Sequence, residues 1–244
     1  MRLRINLDLT NKSIPVNYYS LIQGFLYNSM PDTSETAELH DEGIKLEDEN
    51  RKFKFFSFSE LYGDSVYDKV QKTLTFKGEA YFDVCAFDDK IINNLISYLE
   101  YNKHLIIGKE IIKIIDFAIL EERLLNKKVI TYTTESPLTV YVSDNEKVYF
   151  PKPDEMLFYE LIINNLRKKL KLCFGIDNEI INLSISNIKG KIVFYRDVSY
   201  NAYHCKITFE NPSKYLQNVL LNCGIGSKNA CGFGMLNVYS RPSQ

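Results

Sequence analysis

Residues 223–235 of this 244-residue chain read CGIGSKNACGFGM and hold four of its eleven glycines. The glycines form two matched pairs that enclose a lysine and an asparagine: Gly224, Gly226, Lys228, Asn229, Gly232 and Gly234. Glycine permits a positive φ and close backbone approach, and a glycine-rich turn presents clustered N–H groups to an anion. The segment follows a predicted helix and precedes a predicted strand, which excludes a dinucleotide fingerprint, and it lacks the Gly-Lys-Ser/Thr ending of a P-loop. A tight structural turn and an anion-contacting loop remain as alternatives.

Outward from this loop, hydrophobic periodicity predicts the same β-α-β-β-α-β order of elements in each half of the chain. In the first half it predicts a strand at 2–9, a helix opened by Pro15, strands at 53–58 and 72–85, a helix at 88–103 and a strand at 110–120. In the second half it predicts a strand region at 129–142, a helix at 153–172, a hairpin of 183–188 and 191–195 turning at Lys189-Gly190, a strand at 202–209, a helix at 212–221 and a strand at 233–239. We therefore predict an α+β fold of two tandem ferredoxin-like (RRM-like) domains, at 1–122 and 123–244, with a C-terminal glycine-rich loop.

Composition and charge exclude several classes of protein. The net charge is −1, so no global positive field points to a polyanionic partner, and a nucleic-acid surface would have to be a local basic patch. Five cysteines without C-x-x-C spacing and only three histidines argue against a metal site, and we expect no cofactor. The chain has no apolar run of membrane-spanning length, and its start, MRLRINLDL, alternates like a strand rather than a signal peptide. We expect a cytoplasmic protein without membrane contact.

Several landmarks besides the loop resemble one known family. They are LIQGFLYN at 21–28, LHDEG at 39–43, a lysine before the strand FFSFS at 55–59, and the loop itself. In this order they resemble the CRISPR-associated repeat-processing endoribonucleases, the Cas6 family of the RAMP superfamily, over essentially the whole chain. The resemblance implies two tandem ferredoxin-like domains and metal-independent cleavage of precursor CRISPR RNA within its repeats. The 2′-hydroxyl would attack the scissile phosphate, leaving 2′,3′-cyclic phosphate and 5′-hydroxyl ends.

The resemblance also implies three catalytic candidates. His40 is the candidate acid or base, because a histidine pKa lies near neutrality. Lys54 is the candidate for stabilising the phosphorane charge, with Lys52 and Lys45 close enough in sequence to compete for that role. Tyr27 would orient the nucleophile or help to deprotonate it, and core packing at a helix end is the alternative.

Candidate RNA contacts fall into ranked patches. The glycine-rich loop ranks first, with its glycines approaching phosphates and Lys228 adding charge. The hairpin ranks second, through Lys189, Lys191 and Arg196. A charged helix end (Arg167, Lys168, Lys169 and Lys171) ranks third, and Arg2 with Arg4 forms a further patch.

The expected partner is the precursor CRISPR RNA repeat. Binding to a CRISPR interference complex stays open, as does the choice between monomer and homodimer. Two alternatives to the enzyme also stand. One is a catalytically inactive CRISPR RNA-binding homologue or subunit, and the other is a ferredoxin-like metabolite-binding or structural protein with a chance resemblance.

Overall fold

The computed structural model describes residues 1–30, 53–121, 123–144 and 147–239. In the first half of these ranges the strands are β1 (Arg2–Asp8), β2 (Ser13–Pro15), β3 (Phe56–Phe58), β4 (Tyr62–Asp68), β5 (Thr73–Ala86), β6 (His104–Ile107) and β7 (Glu110–Leu120). The helices there are α1 (Tyr18–Asn28) and α2 (Asp89–Tyr101). No helix within the described ranges has the length and apolar composition needed to cross a bilayer.

The second half contains a matching set of elements. Its strands are β8 (Val129–Thr134), β9 (Val142–Asp144), β10 (Lys147–Tyr149), β11 (Asn182–Tyr195), β12 (Val198–Glu210) and β13 (Leu236–Val238). Its helices are α3 (Met156–Phe174) and α4 (Lys214–Cys223), followed by a 3₁₀ turn at Asn229–Cys231.

Sheet topology confirms the predicted α+β fold of two ferredoxin-like halves. The first sheet runs β6-β7-β1-β5, and β2, β3 and β4 pair along the far side of β5. The second sheet runs β11-β12-β8-β13, so its first strand lies between its third and its last. All these pairs are antiparallel. A division of the chain at residues 122 and 123, between β7 and β8, stays a prediction.

Each half has its own hydrophobic core, and each core also contains side chains from the other half. The core under the first sheet includes Phe233 and Tyr195 from the second half. The core around α3 and α4 includes Phe53 and Phe55 from the first half. Each buried aromatic stabilises the fold by roughly 1.5–3 kcal/mol. This exchange brings the start of β3, helix α3 and the segment after α4 together.

In the first half one prediction is wrong and one strand was missed. Pro15 does not open a helix: it closes β2, pairs with Thr73 of β5, and is followed by a helix that begins at Tyr18. Proline is tolerated there because β2 is an edge strand. Strand β4 was not predicted, because this largely exposed strand has no apolar face to reveal it.

The predicted hairpin turn is also misplaced. Strand β11 continues through Lys189 and Gly190 with a register shift after Ser186, and Lys189 lies opposite His204. The chain reverses seven residues later, at Arg196 and Asp197, where Arg196 has a left-handed φ of 53°. The predicted strand region 129–142 likewise ends as β8 at residue 134. Lys-Gly is a common turn pair, but here the long pairing with β12 keeps it extended.

Candidate active site

The four glycines of the loop are buried, and each has a positive φ of 68–87°. A Cβ at Gly234 would lie 1.9 Å from the carbonyl oxygen of Ile225, and one at Gly224 would lie 2.7 Å from the Gly234 oxygen. A Cβ at Gly232 would meet the ring of Phe58 at 2.4 Å. Packing inside the protein therefore requires these glycines, and in this structure they face protein atoms.

Two polar side chains hold the loop in place. The Nδ2 of Asn229 donates to the carbonyl oxygens of Ile225 and Phe233, both at 2.9 Å. From helix α3, the ammonium of Lys169 donates to the Gly224 oxygen at 2.8 Å and to Oδ1 of Asn229 at 2.7 Å. Lys169 is only 2% exposed, so its predicted place in a solvated RNA-contacting helix end is wrong.

A cavity of about 260 Å³ opens beside this loop. Helices α1 and α3, the strand leading into β3 and the loop itself supply its walls. Its lining residues in the described ranges include three lysines and no carboxylate: Tyr27, Lys54, Phe55, Tyr141, Asn165, Lys169, Lys228 and Asn229. Within those ranges no group of three or more His, Cys, Asp or Glu side chains is placed to hold a metal ion. Positive charge without carboxylates makes the cavity suited to an anion.

Two of the three predicted catalytic residues meet in this cavity. The ammonium of Lys54 donates to the Tyr27 hydroxyl at 3.0 Å, and it lies 4.9 Å from the centroid of the Tyr27 ring. Helix α1 fixes the ring, which packs edge-on against Phe56 at 5.8 Å. Burial raises the pKa of the Tyr27 phenol, so the hydroxyl keeps its proton at neutral pH.

Lys228 contributes a second cation to the cavity wall. It precedes the 3₁₀ turn in a left-handed conformation, with φ of 61°. Its ammonium lies 5.9 Å from the centroid of Tyr200. Burial lowers the pKa of Lys228, but the neighbouring Tyr141 and Tyr200 outweigh it, and the net shift is upward. Lys228 is therefore charged at neutral pH.

The hairpin tip lies at the edge of the same cavity. The Tyr195 hydroxyl donates to Oε1 of Gln23, a cavity residue. Arg196 stands next to Tyr195 at this tip, with its guanidinium 5.7 Å from the centroid of the Tyr195 ring, and its charge lowers the pKa of Tyr27 against the larger, opposite effect of burial. Lys191 instead forms an ion pair with Glu60, and Lys189 is exposed on β11. Of the three predicted hairpin contacts, the structure brings Arg196 to the site.

The arginines of the first strand are occupied elsewhere. The guanidinium of Arg2 donates to the Leu236 carbonyl oxygen and is buried. Arg4 pairs in bidentate fashion with Asp83, at 2.8 and 3.0 Å, and lies 3.9 Å above the Tyr81 ring. The predicted Arg2 and Arg4 patch therefore belongs to the packing between strands.

Comparison with known proteins shows similarity to one family. Residues 120–238 match the family model described as CRISPR associated protein Cas6, C-terminal. The second half of the chain is therefore similar to the Cas6 family. A relative from Methanocaldococcus jannaschii, "CRISPR-associated endoribonuclease Cas6 1", is 26% identical, and the alignment covers 97% of this chain and 92% of the relative. "CRISPR-associated endoribonuclease Cas6" from Pyrococcus furiosus is 24% identical over 92% of this chain and 83% of its own length.

Solved structures of Cas6 and RAMP proteins share the fold. "CRISPR associated protein Cas6" superposes with a TM-score of 0.76 at 24% identity, covering 98% of this chain and 99% of its own. "Characterization of a Cas6-related gene from Pyrococcus furiosus" gives 0.83 at 17% identity, covering 99% of each chain. "An RAMP protein binding different RNA substrates" gives 0.82 at 15% identity, covering 98% of this chain and all of its own. The likeness therefore extends over both ferredoxin-like halves.

One predicted catalytic residue, His40, lies outside the described residues. So do Lys45 and Lys52, the two competitors of Lys54. The described chain ends at Met30, three residues after Tyr27, and resumes at Phe53, next to Lys54. Tyr27 and Phe53 both line the cavity.

Sequence analysis missed Asn165 as a residue of this cavity and misplaced Lys169. Both lie on the buried face of α3, one helical turn apart, in register with Ile162 and Leu166. A lysine and an asparagine on the apolar stripe of a helix are a usable signal, since such positions are normally filled by hydrophobic residues. The cluster of neighbouring cations from 167 to 171 made the lysine look like part of a solvated surface.

Proposed function

We propose that this chain is an endoribonuclease that cuts precursor CRISPR RNA within its repeats to give guide RNAs. The contact between the Lys54 ammonium and the Tyr27 hydroxyl, in a cationic cavity beside Lys228, carries the proposal. Relatives that align over more than nine-tenths of the chain are named CRISPR-associated endoribonucleases. A cavity with lysines, a phenol and no carboxylate in its described lining suits a scissile phosphate.

The proposed reaction is an internal transesterification that needs no metal ion. The 2′-oxygen forms a bond to phosphorus, and the bond from phosphorus to the 5′-oxygen breaks. A base takes the 2′-hydroxyl proton, and an acid supplies a proton to the leaving 5′-oxygen. The products carry a 2′,3′-cyclic phosphate and a 5′-hydroxyl. Lys54 stabilises the negative charge that develops on the phosphorane oxygens.

Tyr27 acts in this proposal as a hydrogen-bond donor. Its raised pKa keeps it protonated, which excludes it as the resting base near pH 7. Its hydroxyl accepts from Lys54 and can donate to the 2′-oxygen or to a phosphate oxygen. His40 remains our candidate acid or base, on the strength of the sequence resemblance.

RNA contacts in the proposal come from the rim of the cavity. Lys228 and Asn229 stand on the loop, and Arg196 stands at the hairpin tip, with Lys189 and Lys191 farther along β11. Gly224, Gly226, Gly232 and Gly234 support binding by giving the loop its shape. Lys191 has to share its charge with Glu60, so we assign it the smaller contribution.

The test is cleavage of the repeat RNA of the associated CRISPR array, in EDTA. Wild type, His40→Ala, Lys54→Ala and Tyr27→Phe are compared, with His104→Ala and Lys109→Ala as exposed controls of the same residue types. We expect losses of roughly 10²–10⁴-fold for His40→Ala and 10²–10³-fold for Lys54→Ala, and none for the controls. A 2′-deoxy sugar at the cut site should block the reaction.

Three other outcomes would overturn parts of the proposal. Cleavage that EDTA abolishes contradicts the metal-independent mechanism. Tight binding without cleavage identifies an inactive RNA-binding homologue. If the wild type does not bind the repeat at all, precursor CRISPR RNA is not its ligand.

A further inference from the structure

Asn165 presents an unpaired amide to the cavity. It lies on α3 one turn before Lys169, is only 4% exposed, and lines the cavity wall. Neither its Nδ2 nor its Oδ1 has a hydrogen-bond partner among the described residues. The neighbouring Lys169, by contrast, donates to three oxygens of the segment around the glycine-rich loop.

Other buried amides in the described ranges are paired. Gln23 donates to the Ala230 carbonyl oxygen at 2.7 Å, and Gln217 exchanges two hydrogen bonds with the backbone of Leu125 at 2.8 and 3.0 Å. A buried amide left without partners costs folding free energy, so native proteins satisfy nearly all of them. An asparagine that is unpaired on a cavity wall indicates a group that enters the cavity and pairs with it.

The lining of the cavity indicates the class of that group. A carboxamide offers one acceptor and one donor side by side, which matches the adjacent donor and acceptor on the edge of a nucleobase. The aromatic rings of Phe55 and Tyr141 line the same cavity and suit a flat heterocycle. Lys54 and Lys228 supply positive charge for the attached phosphates. The cavity of about 260 Å³ exceeds the space of about 30 Å³ that one water takes in the liquid.

We propose that this cavity takes one unpaired nucleobase of the RNA and that Asn165 reads its hydrogen-bonding edge. This inference rests on the proposed function, because it makes Asn165 the specificity-determining residue for one nucleotide beside the scissile phosphate. It commits to a base that belongs to the RNA chain. A free nucleotide shares the same chemistry and is separated from it by the experiment.

The experiment measures binding and cleavage of repeat RNAs in which each nucleotide near the cut is replaced in turn by the other bases and by an abasic sugar. The variants are Asn165→Leu, which removes the pairing, and Asn165→Asp, which replaces the donor by an acceptor. Asn164→Leu and Asn164→Asp are the controls, because Asn164 is the adjacent residue of the same type and is exposed. Melting temperatures are measured for all variants, and free nucleoside monophosphates are added as competitors.

We expect the wild type to bind and cleave RNA with its preferred base at one position about ten- to a hundredfold better than RNA with another base there. An abasic sugar at that position should lower binding and cleavage by the same factor. Asn165→Leu should remove this discrimination at that position alone while its melting temperature stays equal or rises, because a buried unpaired amide has been removed. Asn165→Asp should change the preferred base. The Asn164 variants should keep the wild-type profile, and free nucleotides should compete only weakly.

Other results overturn the inference in distinct ways. If the wild type cuts the repeat but Asn165→Leu and Asn165→Asp keep its base profile, Asn165 does not read a base. If Asn165→Leu does not fold, the abasic series on the wild type still decides, since a flat profile contradicts a base pocket. Strong competition by free nucleotides contradicts a base held within RNA. Absence of any repeat binding by the wild type refutes the proposed function instead.

Discussion

At the scale of single residues, glycine occupies two different kinds of position in this chain. Gly234 has a φ of 68°, and an added Cβ would collide with the Ile225 carbonyl oxygen. Gly24 lies in the interior of α1, where a Cβ would meet nothing within 4 Å. The first glycine is required by its surroundings, whereas the second only adds freedom to the unfolded chain.

Gly234→Ala should therefore lower the free energy of unfolding by roughly 2–5 kcal/mol, since strain at positive φ and overpacking each cost about 1–3 kcal/mol. Gly24→Ala should raise it by about 0.5–1 kcal/mol, because alanine favours a helix interior. Urea unfolding of both variants checks the pair. Equal effects of the two substitutions would show that the loop can relax around a side chain.

At the scale of elements, helix α3 reaches the glycine-rich loop through one ammonium group. Lys169→Met keeps most of the side-chain volume but leaves the Cys223 and Gly224 oxygens and Oδ1 of Asn229 without this donor. Hydrogen bonds to a charged group contribute about 1.5–3 kcal/mol. We expect a loss of about 2–3 kcal/mol in urea unfolding, together with weaker RNA binding because Lys228 is displaced.

Arg167→Met is the matched control, since Arg167 is an exposed cation two residues earlier on the same helix. It should change stability by less than about 0.5 kcal/mol. If Lys169→Met is as stable as Arg167→Met, the loop holds its shape without the helix.

A carboxylate joins the β11–β12 hairpin to the first half of the chain. The Nε2 of His204 donates to Glu60 at 3.0 Å, the Tyr19 hydroxyl donates to it at 2.6 Å, and Lys191 forms an ion pair with it. Burial alone would raise the pKa of Glu60, but the hydrogen bond from His204 and the charge of Lys191 outweigh it and lower the pKa to about 2. Glu60 is therefore ionised at neutral pH.

The lowered pKa fixes the sign of a pH effect. The stabilisation is fully present above the ordinary carboxyl pKa of 4.5 and is lost as the pH falls from 4.5 towards 2. Glu60→Gln should lower the free energy of unfolding by roughly 2–3 kcal/mol at pH 7, and the difference from wild type should shrink below pH 4. Denaturant unfolding from pH 3 to pH 8 measures it.

Asp64→Asn provides the comparison for Glu60→Gln. Asp64 pairs with Lys77 at 3.2 Å, but both side chains are more than half exposed. Exposed ion pairs contribute about 0–1 kcal/mol to stability. The free energy of unfolding of this variant should therefore be close to that of the wild type at each pH. A constant offset between Glu60→Gln and wild type from pH 3 to pH 8 would contradict the ionic role of Glu60.

At the scale of the whole molecule, local patterns predicted the order of elements but not the contacts between distant ones. Period-two and helical patterns located β1, α2 and α4, because each has one apolar face. They failed at Pro15 and at Lys189-Gly190, where pairing with a distant strand overrides the local preference. The pairing of two strands that are far apart in sequence cannot be predicted from the local sequence of either strand alone.

The site divides in the same way. Residues that form short motifs, Tyr27, Lys54 and Lys228, could be found from the sequence. Asn165 and Lys169 interrupt the apolar stripe of α3, which marks them as unusual, but their role could not be read from the sequence because the loop that they face lies more than fifty residues away. Separation in sequence also explains why the glycines were predicted to contact RNA. The atoms that exclude a Cβ at Gly232 belong to Phe58 and Tyr19 in the other half of the chain.

The charge of the whole molecule sets how RNA binding should respond to salt. The chain has a net charge of −1, so the proposed function requires that attraction to RNA come from the local cations around the cavity. Each phosphate neutralised on a single strand changes the slope of log K against log salt concentration by about 0.7. Lys228→Gln and Arg196→Gln should each make the slope less steep by about that amount. Lys109→Gln, an exposed lysine in the turn between β6 and β7, should leave it unchanged. Binding titrations of repeat RNA from 50 to 300 mM KCl measure the slopes, and equal slopes for all three variants would mean that RNA phosphates lie away from this cavity.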